Sequence, residues 1–108
     1  MPANIPLACT LSDDDLRVRS REVAELFAHA TAVEELVDGY AFAFPGGGAW
    51  PRELLDFVTF ERACCPFYSF GLRFPSPHDV IWLDVRGERA EIKEMLRTGV
   101  RTLVVNVR

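Results

Sequence analysis

Three things are scarce in this chain: basic charge, long apolar runs and cysteine. The formal net charge is −4, and Arg17, Arg19 and Arg21 alternate with other residues instead of forming a stripe. That balance argues against a nucleic-acid module, and no basic amphipathic helix is available for a membrane surface. No stretch reaches transmembrane length, and the opening residues 1–6 have neither a basic nor an apolar signal region, so a cytoplasmic protein is expected. Cysteine occurs 3 times. An odd count with two neighbours in sequence is a poor basis for a secreted disulfide framework, and reduced thiols are expected instead. Pro45-Gly46-Gly47-Gly48 is glycine-rich but lacks the spaced glycines, lysine and hydroxyl residue of a phosphate loop.

At 108 residues the chain is expected to be one domain, with its core over about 5–98 and with 99–108 as an edge strand or a tail. Ser12 followed by Asp15 resembles a capping box, and three consecutive aspartates suit a helix start, so a first helix is predicted from there to about Ala30. Leu16, Val23, Leu26, Phe27 and Ala30 form its apolar stripe, and Arg19, Arg21, Glu22, Glu25 and His29 are placed toward water. Two strands, 33–37 and 40–44, are predicted around Asp38-Gly39, a dipeptide suited to left-handed turn geometry. Tyr40, Phe42 and Phe44 share one face. A second hairpin places Tyr68, Phe70, Leu72 and Phe74 inward on one strand and Ile81, Leu83 and Val85 inward on the other, with Trp82 outward. A last helix is predicted over 88–98, stopped by Gly99. The order helix, hairpin, helix, hairpin, helix implies an α+β fold, a four-stranded antiparallel sheet covered by helices on one face.

The second helix carries the chemistry. Pro51 suits its first turn, and Pro66 disfavours helical geometry at Cys65, so about four turns are bounded. At about 100° per residue, Leu54, Val58, Glu61 and Cys65 fall on one face, flanked by Phe57 and Cys64. Glu61 thus stands where a leucine is expected, three residues before one sulfur and four before the other. A carboxylate on a buried face needs a partner. One reading is an ion pair with Arg62 or Arg73; another makes Glu61 serve the thiols, in which case Glu61→Leu should stabilise the unliganded protein. Single cysteines are ordinary core residues, but neighbours on a helix point about 100° apart, and packing rarely needs a thiol at both positions.

The negative end of a helix with Glu61 beside it should raise thiol pKa values, which opposes a constitutively ionised redox nucleophile. A soft cation reverses this, because it deprotonates the sulfurs it binds. Three thiolates without a well-placed histidine favour Hg²⁺, Cu⁺, Cd²⁺, Pb²⁺ or As(III), with Zn²⁺ less suited because adjacent cysteines lack its usual ligand spacing. Cys9, Glu61, Cys64 and Cys65 supply four ligands if the N-terminal segment folds over the second helix. His78, in a turn, is expected to be solvated.

The segments Cys9-Thr10-Leu11, Asp38-Gly39-Tyr40 with its following aromatics, and Phe60-Glu61-Arg62-Ala63-Cys64-Cys65-Pro66-Phe67 resemble a family of small bacterial proteins with a Glu-x-x-Cys-Cys-Pro-Phe signature. Some of that family are associated with heavy-metal-resistance systems, and the resemblance implies Cys9, Glu61, Cys64 and Cys65 as the site. The leading expectation is therefore a cytosolic binder of a soft metal or metalloid ion. The competing readings are a metal-thiolate or thiol-redox enzyme, for example an organometal-cleaving one with Glu61 as proton donor or acceptor, and a homodimeric interaction module with structural cysteines.

Overall fold

The computed structural model describes residues 11–77 and 79–104, with the side chains of 102–104 left aside. The elements run α1 (Asp13–Phe27), β1 (Ala32–Leu36), β2 (Gly39–Pro45), α2 (Trp50–Cys64), β3 (Ser69–Arg73), β4 (Val80–Arg86) and α3 (Ala90–Val104). This is the α+β arrangement expected, three helices with an open four-stranded antiparallel sheet in the order β1-β2-β4-β3. None of the described helices is long and apolar enough to cross a membrane.

Tyr40, Phe42 and Phe44 of β2 lie in register with Val85, Leu83 and Ile81 of β4, so six apolar side chains tile one face at the centre of the sheet. All three helices contribute to the core on that face. Phe27 of α1 makes edge-to-face contacts with Phe42 at 4.8 Å, Phe57 at 5.4 Å and Phe44 at 5.6 Å between ring centroids. Leu54 and Phe57 of α2 complete the cluster, and Leu96 and Val100 of α3 pack on it. Lys93 fixes α3 to the edge of the sheet by donating to the Leu36 carbonyl at 2.7 Å and pairing with Glu35 at 2.7 Å.

The start of α1 is as expected, with the Ser12 hydroxyl accepting from the Asp15 N–H at 3.2 Å. Its end comes earlier than Ala30. The N–H groups of His29 and Ala30 bond back three residues, to Leu26 and Phe27, which tightens the last turn and releases the chain into β1.

Asp38-Gly39 does not form the left-handed turn. Val37 and Asp38 make the turn, and Gly39 is the first residue of β2, paired with Arg86 without a positive φ. Glycine is needed there for another reason, since a Cβ at Gly39 would lie 2.0 Å from the Val85 carbonyl oxygen.

Two further expectations fail on packing grounds. Phe74 lies beyond the end of β3 and is exposed. Gly99 does not stop α3, which continues to Val104, so the stretch from Val100 to Val104 is helical and not a strand or tail. A glycine inside a helix costs about 1 kcal/mol relative to alanine, and docking Leu96 and Val100 on the core outweighs that. His78, Cys9 and residues 105–108 lie outside the described residues.

Candidate functional site

Pro51 opens α2, and its final turn is closed by the Cys65 N–H donating to the Glu61 carbonyl at 2.6 Å. The buried side chains of this helix are Leu54, Phe57, Glu61 and Cys64, while Val58 and Cys65 are half-buried. Relative to the expected stripe, the buried face is rotated by about 50°, half a residue, which sinks Cys64 and leaves Cys65 at the rim. Cys64 is disulfide-bonded, contrary to the expectation of reduced thiols. Cys65 is a free thiol, and its Sγ lies 3.7 Å from the Cys64 Sγ.

Glu61 is buried, at 8% exposure, and its partner is neither Arg62 nor Arg73. Arg19 reaches across from α1, and its Nε donates to Glu61 Oε2 at 2.8 Å. The guanidinium lies over the Phe60 ring, 4.2 Å from its centroid, with the Phe57 ring at 5.5 Å. Its Nη2 is buried without a hydrogen-bond partner among the described residues. Arg73 instead grips Asp84 on the opposite face of the sheet, with two bonds of 2.9 Å.

Arg19 was placed toward water by its charge alone. At about 100° per residue it falls between Leu26 and Ala30, within the apolar stripe of α1. Opposite charges in the middle of two apolar stripes were therefore the available signal. Tyr68 is the second residue whose part in the site was missed. It follows the bend after Pro66, with its N–H donating to the Cys65 carbonyl at 3.2 Å, and its ring faces the same space as the sulfurs.

Leu16, Arg19 and Val23 of α1, Glu61 and Cys64 of α2, Cys65 just after it, and Tyr68 line one cleft of about 530 Å³, with Gly99 of α3 also in its lining. Burial is the main cause that pushes the Cys65 thiol up to about 11; the Glu61 charge adds to it, and Arg19 opposes it. Burial likewise pushes Tyr68 up to about 12, followed by the influence of Cys65 and Glu61. At neutral pH the cleft thus presents a protonated thiol and a phenol beside an ion pair. Such a thiol is a weak nucleophile, yet it can lose its proton to a cation that bonds sulfur directly.

Of the four ligands expected, Glu61, Cys64 and Cys65 are brought together, and Cys9 lies outside the described residues. Among those residues no group of three or more His, Cys, Asp or Glu side chains is arranged to hold a metal ion. Of the histidines, His29 is exposed near Trp50, with ring centroids 5.2 Å apart, well away from the sulfurs.

Fold and site together define a helix-covered open sheet with a thiol cleft at the C-terminus of its second helix. No family model, curated protein or solved structure matches this chain.

Proposed function

We propose that this protein captures a thiophilic metal or metalloid ion at the cleft, with Cys65 as the first sulfur ligand and Cys64 joining it once its disulfide is reduced. The observation that carries this reading is the 3.7 Å separation of the two sulfurs at one cleft wall. Two sulfurs bonded at about 2.3 Å to one tetrahedral ion stand about 3.8 Å apart, so the pair needs little rearrangement to share a cation. Softness selects Hg²⁺, Cu⁺, Cd²⁺, Pb²⁺ or As(III) over hard ions. Binding expels the Cys65 proton, and Glu61 stands one helical turn away to receive it or to act as an auxiliary ligand. Cys9 would add a third thiolate.

Native mass spectrometry of reduced protein purified without chelator should show a bound soft ion or uptake of one added. Cys64→Ser and Cys65→Ser should each weaken that affinity at least tenfold, about 1.4 kcal/mol. Unchanged titrations in both variants would remove the proposal.

The Cys64 disulfide favours a second reading, thiol–disulfide exchange. A Cys65 thiol near 11 is poorly ionised for attack at neutral pH, which weighs against it. Turnover of a small disulfide substrate that is lost in Cys64→Ser, with no metal uptake by the parent protein, would favour exchange.

A further inference from the structure

The thiol cleft shares part of its wall with a second space. Beneath α3 lies an apolar pocket of about 180 Å³, walled by Phe27, Phe42, Phe70, Val85 and Leu96 among others. Glu61 and Tyr68, which line it as well, also line the cleft that holds Cys64 and Cys65, as do Val23 and Gly99. The two spaces are therefore neighbours, with Glu61 and Tyr68 in the wall between them. Gly99 of α3 lines both, and a Cβ there would have no neighbour within 4 Å.

A bare ion has no use for such a pocket, whereas a hydrocarbon group would cover apolar surface that otherwise faces water. Its size suits a small hydrocarbon group, given that an apolar cavity of about 150 Å³ admits benzene. The sulfur chemistry points the same way. Cys65 is a free thiol, Cys64 is disulfide-bonded, and no larger ligand set assembles among the described residues. While Cys64 is held in its disulfide, Cys65 alone offers a thiol, which suffices for a cation with one position already occupied by carbon, whereas an inorganic ion calls for the reduced pair.

Resting on the soft-ion reading above, we infer that the site's ligand is a monosubstituted organometal cation, R–M⁺, held through M by Cys65 with its apolar group R in the pocket beneath α3. Capture is a ligand exchange without change of oxidation state. In R–M–X the M–X bond breaks, the Cys65 sulfur–M bond forms, and the thiol proton leaves with X⁻ as HX. The carbon–metal bond stays intact.

The test titrates the protein with phenylmercuric acetate, methylmercuric chloride and mercuric chloride, each in competition with glutathione. Phenylmercury should be preferred over methylmercury by at least about tenfold beyond the ratio glutathione itself shows. Gly99→Leu, which adds a side chain at a residue that lines both spaces, should abolish that preference. A phenyl-to-methyl ratio equal to that of glutathione overturns the inference while leaving the soft-ion reading standing, and so does a preference that survives in Gly99→Leu. Failure of all three mercury species to bind more tightly than to glutathione, with Cys65→Ser indistinguishable from the parent, overturns the soft-ion reading itself. The parent's ratio needs no variant, so a Gly99→Leu protein that folds badly does not shelter the inference.

Discussion

Two arginine–carboxylate pairs are built into this small protein, and they are completed to different degrees. Arg73 and Asp84 sit on adjacent strands of the sheet face away from the core, joined by two bonds of 2.9 Å. Their strand register sets Asp84 opposite Gly71 on one side and Ala41 on the other, and Arg73 also lies 5.4 Å from the Trp82 ring. Small residues flank the carboxylate, so the arginine has room to meet it with both arms. Arg19 and Glu61 lie between two helices, joined by one close bond of 2.8 Å, with Arg19 Nη2 buried and without a partner among the described residues. Beside them are a free thiol and a cleft. Buried polar groups are normally satisfied, so the completed pair reads as structure and the incomplete one as part of a site.

The largest expected effect comes from breaking the incomplete pair. With side-chain exposures of 17% and 11% for Arg19 and Glu61, neither charge has ready access to water. Glu61→Leu should therefore destabilise the protein by about 2 kcal/mol, because it removes the arginine's close partner and leaves it only the exposed Glu22, whose Oε1 accepts from Arg19 Nη1 at 3.4 Å. This reverses the stabilisation expected for a Glu61 that serves only the thiols. Adding Arg19→Met should restore most of the loss, and chemical denaturation of the single and double variants measures it. If the single variant is as stable as the parent, Arg19 finds water, and the pair is no more demanding than a surface one.

Removing half of the completed pair should cost less and stay local. Asp84→Asn keeps the shape and some hydrogen bonding to Arg73, which is half-exposed and can rehydrate, so a loss of about 1 kcal/mol is expected. Mercury titration of Cys65 should not change. A coupled loss of thiol reactivity would show that the two faces of the sheet are not independent.

Much of the fold was legible in advance, but neither arginine pair was. The periodicity of Tyr40, Phe42, Phe44, Ile81, Leu83 and Val85 placed the core face of the sheet, and Ser12 and Pro51 marked two helix starts. Glu61 was recognised as a charge on an apolar face with two thiols beside it. Its partner was not, because Arg19 was sorted by charge and not by angle. The end of α3 was missed because glycine's local preference for stopping a helix was outweighed by packing at Leu96 and Val100, contacts that exist only once the sheet has formed. Asp38-Gly39 was assigned the right hairpin for the wrong reason, since steric contact with β4, and not turn geometry, requires glycine at 39.

A smaller effect distinguishes the sites through pH. Cys65 is raised from 9.0 to about 11 and Tyr68 from 10.0 to about 12. Both folded-state values are raised, so below about pH 9 neither group alters stability with pH. Above it the unfolded chain loses protons that the folded one retains, and stability falls through about pH 12. Discounted for the solvent that reaches the half-buried Cys65, the contribution of the thiol is about 1 kcal/mol. Thermal denaturation should show a steeper alkaline decline in the parent than in Cys65→Ser. Alkylation of Cys65 should also quicken with each pH unit up to about 11, and a plateau near pH 8 would mean that the cleft does not protect the thiol proton.

The smallest change sharpens the comparison from the side of the cleft. Gly99 is an exposed residue inside α3, and a Cβ there meets nothing within 4 Å. Alanine at such a position restricts the unfolded chain and improves helix propensity, so Gly99→Ala should stabilise the protein by about 0.5 to 1 kcal/mol. A methyl group at Gly99 would reach no neighbour within 4 Å, so the preference for phenylmercury over methylmercury should persist. The leucine variant should remove it. Stabilisation by alanine with selectivity intact, followed by loss of selectivity with leucine, would mean that the open space at Gly99 serves the ligand and not the fold. If alanine instead destabilises α3, glycine is required there by the backbone, and the open space is a consequence of helix packing.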